Sequence, residues 1–312
     1  MTEETRTYDV VIIGAGPAGL TAGIYAGRAD LSTCVIDRVG PGGQVSLTDK
    51  VENYPGFPEG ITGLDLAVKM EEQARKFGAE IVLAEITDLR EENGYYILRC
   101  TEGDLRAPAI IVATGTRPKE LGVPGESAFR GRGVSYCATC DGAFYRDKVT
   151  VVVGGGDSAI GEAIFLTRFA RKVYIVHRRD ELRATKVLQD RAKANPKIEF
   201  LWSSVITSVN GQERVESATL RNVRDESIRQ VETDGVFLYV GLEPNTEFLR
   251  GFIDLDERGY VLTGDDMQAS RLGVFAAGDV RHKDLRQVVT ATADGAMAAV
   301  AVEHYLTESG RI

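Results

Sequence analysis

Three apolar runs in the chain are too short to be helices, and each is cut off by glycine. They are Tyr8 to Ile13, interrupted only by Asp9, Ile110 to Ala113, and Val151 to Val153. Runs of that length bounded by turn signals read as strands. After the first, Gly14-Ala15-Gly16-Pro17-Ala18-Gly19 opens a helical segment to about Arg28, and a strand from Thr33 to Ile36 ends on Asp37 and Arg38. The same order returns 140 residues later without a gap: Val151 to Val153, Gly154-Gly155-Gly156-Asp157-Ser158-Ala159, a helix to about Ala170, and a strand from Lys172 to Val176. In that register Gly14 falls on Gly154, Gly16 on Gly156, Gly19 on Ala159 and Asp37 on His177. The chain therefore carries one βαβ unit twice, and the fold class is α/β with two Rossmann-like halves.

The segments between the copies are less regular. Thr62 to Gly78 has a helical spacing, with Thr62 and Asp65 as a capping pair, Leu66, Met70 and Phe77 on one face and Gly78 as terminator. Val82 to Ala84 and Tyr95 to Leu98 predict strands of a small antiparallel layer, after which Ile110 to Gly115 returns the chain to the main sheet. Arg117-Pro118 and Val123-Pro124-Gly125 punctuate a crossing between domains. Near the end, Gly273 to Asp279 predicts a strand finishing on an acid. Arg286-Gln287-Val288 then opens a helix to about Leu306, with Met297 and Tyr305 expected in its core.

A glycine loop between strand and helix is a phosphate cradle. The first glycine allows the tight turn, the second lets a pyrophosphate approach the backbone, and the third lets helix and strand pack closely, while the helix start offers unpaired N–H groups. Asp37 at the end of the second strand is then placed to accept from ribose hydroxyls. Its counterpart differs in kind: His177-Arg178-Arg179, with Arg183 a turn further on. A carboxylate repels a 2′-phosphate and guanidinium groups bind one, so the first loop predicts a cofactor with a free ribose and the second predicts NADPH. Arginines that merely solvate a surface, and a histidine that is only a spacer, are the alternatives. Gly43, Gln44 and Asn53 follow the first unit, and their amides can reach a flavin ring or its ribityl chain. Ala113-Thr114-Gly115, Gly278, Asp279, Arg286, Gln287 and Val288 complete the same expected site, with Asp279 suited to a ribityl hydroxyl.

Composition narrows the function. At 43% hydrophobic and 27% charged the 312 residues are ordinary for a two-domain globular chain, and no apolar run approaches the roughly 18 residues of a membrane helix. A net charge of −9 argues against wrapping nucleic acid. The start, Met1-Thr2-Glu3-Glu4-Thr5, is acidic where an export signal is basic, so a cytoplasmic chain is expected. Stable structural disulfides are rare there.

That compartment gives weight to Cys137-Ala138-Thr139-Cys140-Asp141. Two cysteines separated by two residues close a small disulfide ring of redox character, or form half a zinc site, or are two small buried hydrophobes. Cys34 and Cys100 sit alone in strand-like runs and read as core, so no second pair completes a four-thiolate metal site, and no metal is expected. Asp141 can protonate a leaving thiolate, or cap a helix, or both. His282 and His304 have no ligand-like spacing and read as surface.

Gly14 to Gly19, Glu52-Asn53-Tyr54-Pro55-Gly56, Cys137 to Gly142, Gly154 to Ala159, His177 to Asp180, Gly278-Asp279-Val280 and Arg286-Gln287, in that order and spacing, resemble the low-molecular-weight thioredoxin reductases over nearly the whole chain. The resemblance implies an FAD domain built from residues 1–117 and 246–312, and an inserted NADPH domain, 118–245, carrying the CxxC. It also implies thioredoxin as partner and a homodimer. It implies that Cys140 faces the flavin, Cys137 exchanges with thioredoxin, and Asp141 donates the proton. Because one inserted domain then carries both the nicotinamide loop and the CxxC, and only one of them can occupy the flavin face at a time, that domain is expected to turn on Thr116 to Pro118 and Glu243 to Asn245. Two positions depart from the pattern: Gly161, where many relatives have glutamate, and Ala143 before Phe144, where relatives often have two aromatics. A flavoenzyme serving a glutaredoxin-like or peroxidase-coupled partner, one fed by ferredoxin, and a non-enzymatic nucleotide binder remain as other readings.

Overall fold

The structure is a computed structural model that describes residues 5–48 and 50–312. Most of the acidic N-terminus thus lies outside the described residues. The chain divides into two compact units, one of residues 1–117 with 243–312 and one of residues 118–242. In chain order, the first unit opens with β1 (Val10–Ile13), α1 (Pro17–Arg28), β2 (Thr33–Asp37), α2 (Gly63–Lys76), β3 (Glu80–Leu83) and β4 (Ala109–Val112). The second unit is built from β5 (Val134–Ser135), α3 (Ala138–Asp141), β6 (Val149–Val153), α4 (Asp157–Leu166), β7 (Lys172–Val176), α5 (Lys186–Ala194), β8 (Ile198–Leu201) and β9 (Gly235–Leu238). The chain then returns to the first unit for β10 (Val274–Ala276) and α6 (Val288–Glu308).

Each unit is a parallel five-stranded sheet. The orders are β10-β4-β1-β2-β3 and β5-β9-β6-β7-β8, so the glycine-loop strand is central in both. The repeat read from the glycines is thus a repeat of whole sheets. The outermost strand beside β4 comes last in the first unit, and its counterpart beside β9 comes first in the second.

Alternation along the central strand decides the layers. Val10 and Ile12 pack with residues of α1, α2 and α6, while Val11 and Ile13 face the other way, against Leu98 and Leu105 of a small sheet. All four are at most 5% exposed, and burying such a side chain is worth about 1.5–3 kcal/mol, so the strand is held from both sides. In the second unit Val152 packs on Ile160 and Ala163 of α4, whereas Val151 and Val153 pack on Ile206, Leu220 and Val231. The second small sheet is antiparallel over Ser204–Gly211, Val215–Asn222 and Ile228–Glu232. Both units are therefore three layers deep.

Three local expectations change. Val82 lies in β3, which pairs in parallel with β2, so it belongs to the main sheet rather than the small antiparallel layer. The small layer of the first unit takes Ile86–Glu92, Tyr95–Cys100 and Leu105–Ala107 instead. The helix after Gly156 stops at Leu166, with Thr167 as its cap. Met297 is 47% exposed, because the buried stripe of α6 runs through Asp294, Ala298, Val302 and Leu306. α2 follows its expected capping: Thr62 accepts from the Asp65 amide at 3.0 Å and donates to the Asp65 carboxylate at 2.7 Å.

Candidate functional site: two glycine loops and a disulfide

The first glycine loop has the shape its sequence requires. Gly14 has φ +110°, and a Cβ there would stand 2.3 Å from the Ala113 carbonyl. A Cβ at Gly19 would stand 1.8 Å from the Gly14 carbonyl, so α1 could not pack on the turn with any larger residue. At Gly16 a Cβ would meet nothing within 4 Å. The side of Gly16 that a side chain would fill is thus an open cradle at the start of α1, whose first residue is Pro17, followed by buried Ala18. Asp37 braces the cradle. Its Oδ2 accepts from the Ala15 amide at 2.8 Å and its Oδ1 from the amides of Val39 and Gly40. Arg38 is exposed and pairs with Glu85 at 3.5 Å.

Other expected residues of this unit gather at the same end of the sheet. Gly43 begins a 3-10 turn, with its Cβ direction 3.2 Å from Gly16 Cα, and Gln44 follows it at the surface. Asn53 donates to the Gln287 side chain at 2.8 Å, directly before Val288 opens α6. Thr114 donates to the Asn245 carbonyl at 2.8 Å, and the Gly115 carbonyl accepts from the Asn245 amide. The Gly278 amide donates to Asp294 at 3.0 Å. Asp279 Oδ1 is buried without a hydrogen bond, the nearest cation being Lys283 Nζ at 3.9 Å. Burial raises the Asp279 pKa, and the positive charges of Lys283 and Arg286 only partly oppose it. Arg286 lies over the Tyr260 ring at 4.2 Å. An open phosphate cradle and an orphaned acceptor at one sheet end fit a long cofactor bearing a pyrophosphate and hydroxyls.

The second loop repeats the first. Gly154 has φ +148°, and a Cβ there would meet the Tyr239 carbonyl at 2.6 Å. Gly156 is open to 4 Å, and buried Ala159 takes the place of Gly19. His177 is only 6% exposed, and its ring lies where a Cβ of Gly155 would be, 2.4 Å away. Burial lowers its pKa, with Arg183, Arg178 and Arg179 pushing the same way, so the ring is neutral at pH 7. It supports the loop from beneath, and the arginines are left as the charged candidates. Arg178 and Arg179 are exposed. Arg183 is brought to the loop by its backbone, whose amide donates to the Gly155 carbonyl at 2.7 Å. The Asp157 carboxylate fixes that segment by accepting from the Thr185 amide at 2.6 Å, while Ser158 is exposed at the start of α4.

Cys137 and Cys140 form a disulfide on α3, with Cα atoms 5.4 Å apart. Cys137 is half-buried and caps α3, its sulfur accepting from the Cys140 amide at 3.1 Å, while Cys140 is exposed. Asp141 ends α3, and its side chain makes no capping hydrogen bond, so the capping reading of this residue falls away. Gly142 packs against Phe165, Leu166 and Phe169. Ala143 is exposed and Phe144 is 74% exposed beside the ring. Gly161, on α4, has open space where a side chain would project. Cys34 and Cys100 are buried free thiols, pushed up to about 12 and about 11 by burial.

Three groups around these sites escaped the sequence reading. Tyr239 accepts from the Ala138 amide at 2.9 Å, and Glu162 accepts from Thr139 at 3.4 Å. Glu126, 2% exposed, accepts from the amides of Leu121, Gly122 and Val123 and from the Tyr136 hydroxyl, next to Cys137. Asp294 pairs with Arg281 at 3.0 Å and Lys283 at 2.8 Å. Only an acid at a core position of a helix, as for Asp294, leaves a trace in sequence.

A twice-repeated dinucleotide cradle with a disulfide on one copy agrees with the comparisons. The pyridine nucleotide-disulphide oxidoreductase family matches residues 8–295. The chain is 49% identical over 309 residues to a thioredoxin reductase of Bacillus subtilis, covering 99% of this chain and 97% of that one. A crystal structure of Lactococcus lactis thioredoxin reductase superposes with a TM-score of 0.95 at 43% identity, over 96% of this chain and 99% of that one. One from T. acidophilum gives 0.92 at 34% identity, over 96% and 98%. The chain belongs to the pyridine nucleotide-disulphide oxidoreductases and, within them, to the thioredoxin reductases. It is an oxidoreductase acting on a sulfur group, of a kind that works with a flavin and a pyridine nucleotide. Among the described residues no helix is long and apolar enough to cross a membrane.

Proposed function

We propose that this chain passes electrons from NADPH through FAD to the Cys137–Cys140 disulfide, and from the resulting dithiol to oxidised thioredoxin. The reading is carried by one contrast: the two loops share a fold, yet the strand after the first ends on Asp37 and the strand after the second is followed by Arg178, Arg179 and Arg183.

Bound FAD would accept a two-electron hydride equivalent and deliver it to a disulfide. Residues of the segments 1–117 and 246–312 would hold it. Gly14, Gly16, Pro17, Ala18 and Gly19 shape the phosphate cradle, and Asp279 offers its orphaned oxygen to a ribityl hydroxyl. Gln44, Asn53, Gln287 and the opening turn of α6 supply amide donors. In residues 118–245, Gly156 leaves room for the NADPH pyrophosphate, and the three guanidinium groups read its 2′-phosphate. Following the family pattern, Cys140 takes the electrons, Cys137 attacks the thioredoxin disulfide, and Asp141 gives a proton to the leaving thiolate. Phe144, exposed beside the ring, is available to a docking protein. Leu64, Val68, Met297 and Val300, exposed on α2 and α6, suit a second copy in a homodimer. A disulfide that must cycle suits the reducing cytoplasm.

The test is anaerobic flavin bleaching by NADPH and by NADH, followed by addition of oxidised thioredoxin. NADPH should bleach a yellow protein far faster than NADH, and thioredoxin should restore the colour. In Cys137→Ser and Cys140→Ser, bleaching should persist and the return should be lost. A colourless protein, or equal rates with the two nucleotides, would refute the reading.

A further inference from the structure

The CxxC turn is tied to the helix that begins at the second glycine loop. The Ala138 amide, inside the turn, donates to the Tyr239 hydroxyl at 2.9 Å. Tyr239 follows β9 and is itself hydrogen-bonded to Glu162, six residues into α4. Since the phenol oxygen accepts from Ala138, its one proton goes to the Glu162 carboxylate. Burial, with the charge of Glu162 next, raises the Tyr239 pKa and keeps that proton in place. The same carboxylate accepts from Thr139 at 3.4 Å. Two consecutive residues between the cysteines are thus held from one carboxylate.

These contacts matter most when the ring is open. In the oxidised protein the S–S bond itself keeps the sulfurs together. Once it is broken, what remains are the Cys140 amide on Cys137 Sγ, the Asp141 amide on the Cys137 carbonyl, the Ser135 hydroxyl on the Cys137 backbone, and the Tyr239–Glu162 pair. The first two lie within the turn and move with it, while Ser135, on β5, fixes the residue at which the turn begins. Among the described residues, Tyr239 and Glu162 are the side chains that hydrogen-bond the two residues between the cysteines from elements distant in sequence, 101 and 23 residues away.

We propose that Tyr239 and Glu162 are positioning residues of the redox centre, clamping the turn so that the two thiols stay within ring-closing distance. A clamp of this kind raises the effective concentration of one sulfur at the other and so favours the disulfide. The inference rests on the cysteine pair being the electron carrier proposed above, and its test reads the sulfurs without substrate turnover.

The full-length protein with its flavin is equilibrated without oxygen in glutathione buffers, quenched in acid, alkylated and weighed. Each closure of the ring turns one glutathione disulfide into two glutathione thiols, so two electrons and two protons balance. Tyr239→Phe keeps the ring and its packing but loses the hydroxyl. Its closure constant should fall three- to tenfold, raising the midpoint potential by about 15–30 mV. Glu162→Ala should shift in the same direction, and Glu162→Gln, which still offers a carbonyl to the phenol, should fall closer to the parent. A closure constant for Tyr239→Phe within about 1.5-fold of the parent overturns the proposal, including where its melting temperature drops, because a merely structural contact behaves that way. If Tyr239→Phe does not fold, an unshifted Glu162→Ala overturns it equally. A parent whose cysteines titrate normally while NADPH fails to bleach the flavin would refute the proposed function and leave this inference standing.

Discussion

The Asn53 side-chain amide donates to Oε1 of Gln287 at 2.8 Å, joining residues 234 positions apart at the opening of the longest helix. The Gln287 amide in turn donates to Thr290 Oγ1 at 3.2 Å, so the helix start and the loop around Asn53 are one hydrogen-bonded piece. Gln287→Ala should cost about 1 kcal/mol in denaturant unfolding and loosen FAD, and Asn53→Ala should do much the same. Because each removes the other's partner, the double variant should be clearly less damaged than the sum of the two, which a double-mutant cycle measures.

If Arg178 and Arg179 read the 2′-phosphate, replacing both with alanine should weaken NADPH use by a few kcal/mol, at about 1.5–3 for each charged hydrogen bond lost. NADH kinetics should barely change. His177→Ala should behave differently, hurting stability and both nucleotides together, since the ring packs beneath Gly155. Steady-state kinetics with the two donors separates these outcomes.

The sheets and loops were legible because short-range chemistry dictates them. Gly14 and Gly154 adopt the positive φ that a non-glycine residue resists, and the strands around them are apolar on both faces. Thr62 and Asp65 announced the start of α2 for the same local reason. What stayed hidden depends on distance along the chain. Tyr239 meets Ala138 only because β9 lies beside β5, and no pattern in either segment shows it. The sequence points Val82 to the small antiparallel layer, whereas it lies in the main sheet, because a four-residue edge strand of mixed burial looks the same in parallel and antiparallel surroundings. Met297 reads as core but is half exposed, because an alanine-rich helix gives little periodic contrast to say which large residue faces out.

Glu126 predicts a pH dependence. Burial pushes its carboxyl up, but the Tyr136 hydroxyl and the amides of Leu121, Gly122 and Val123 outweigh that, so its pKa in the folded protein lies below the ordinary glutamate value. A group depressed in this way stabilises the fold fully above its unfolded pKa of about 4.3, and the contribution is lost as pH falls through the folded value. Unfolding free energies of the parent and Glu126→Gln should therefore differ most near neutral pH. The gap should narrow steadily below about pH 4.3. A gap that stays constant down to pH 3 would mean the carboxylate charge contributes nothing.

Asp294 is 8% exposed on α6 and holds two cations, Arg281 and Lys283, as well as the Gly278 amide. Removing one partner of a buried charge cluster leaves the others uncompensated, so Asp294→Asn should cost about 3–5 kcal/mol. A second effect follows from Lys283. Its Nζ is 2.8 Å from Asp294 but also 3.9 Å from Asp279 Oδ1, the buried oxygen that has no hydrogen bond of its own. Freed from Asp294, the ammonium should close on Asp279 and take the acceptor proposed for the ribityl chain. FAD binding to the stripped protein should then weaken at least tenfold, about 1.4 kcal/mol. Adding Lys283→Met removes the competitor and one of the two uncompensated charges, leaving Arg281, so the double variant should regain part of the stability and most of the FAD affinity. Calorimetry of FAD binding decides it. A double variant that binds FAD as weakly as Asp294→Asn would mean that Asp294 acts by holding Gly278 in place and that Lys283 never competes.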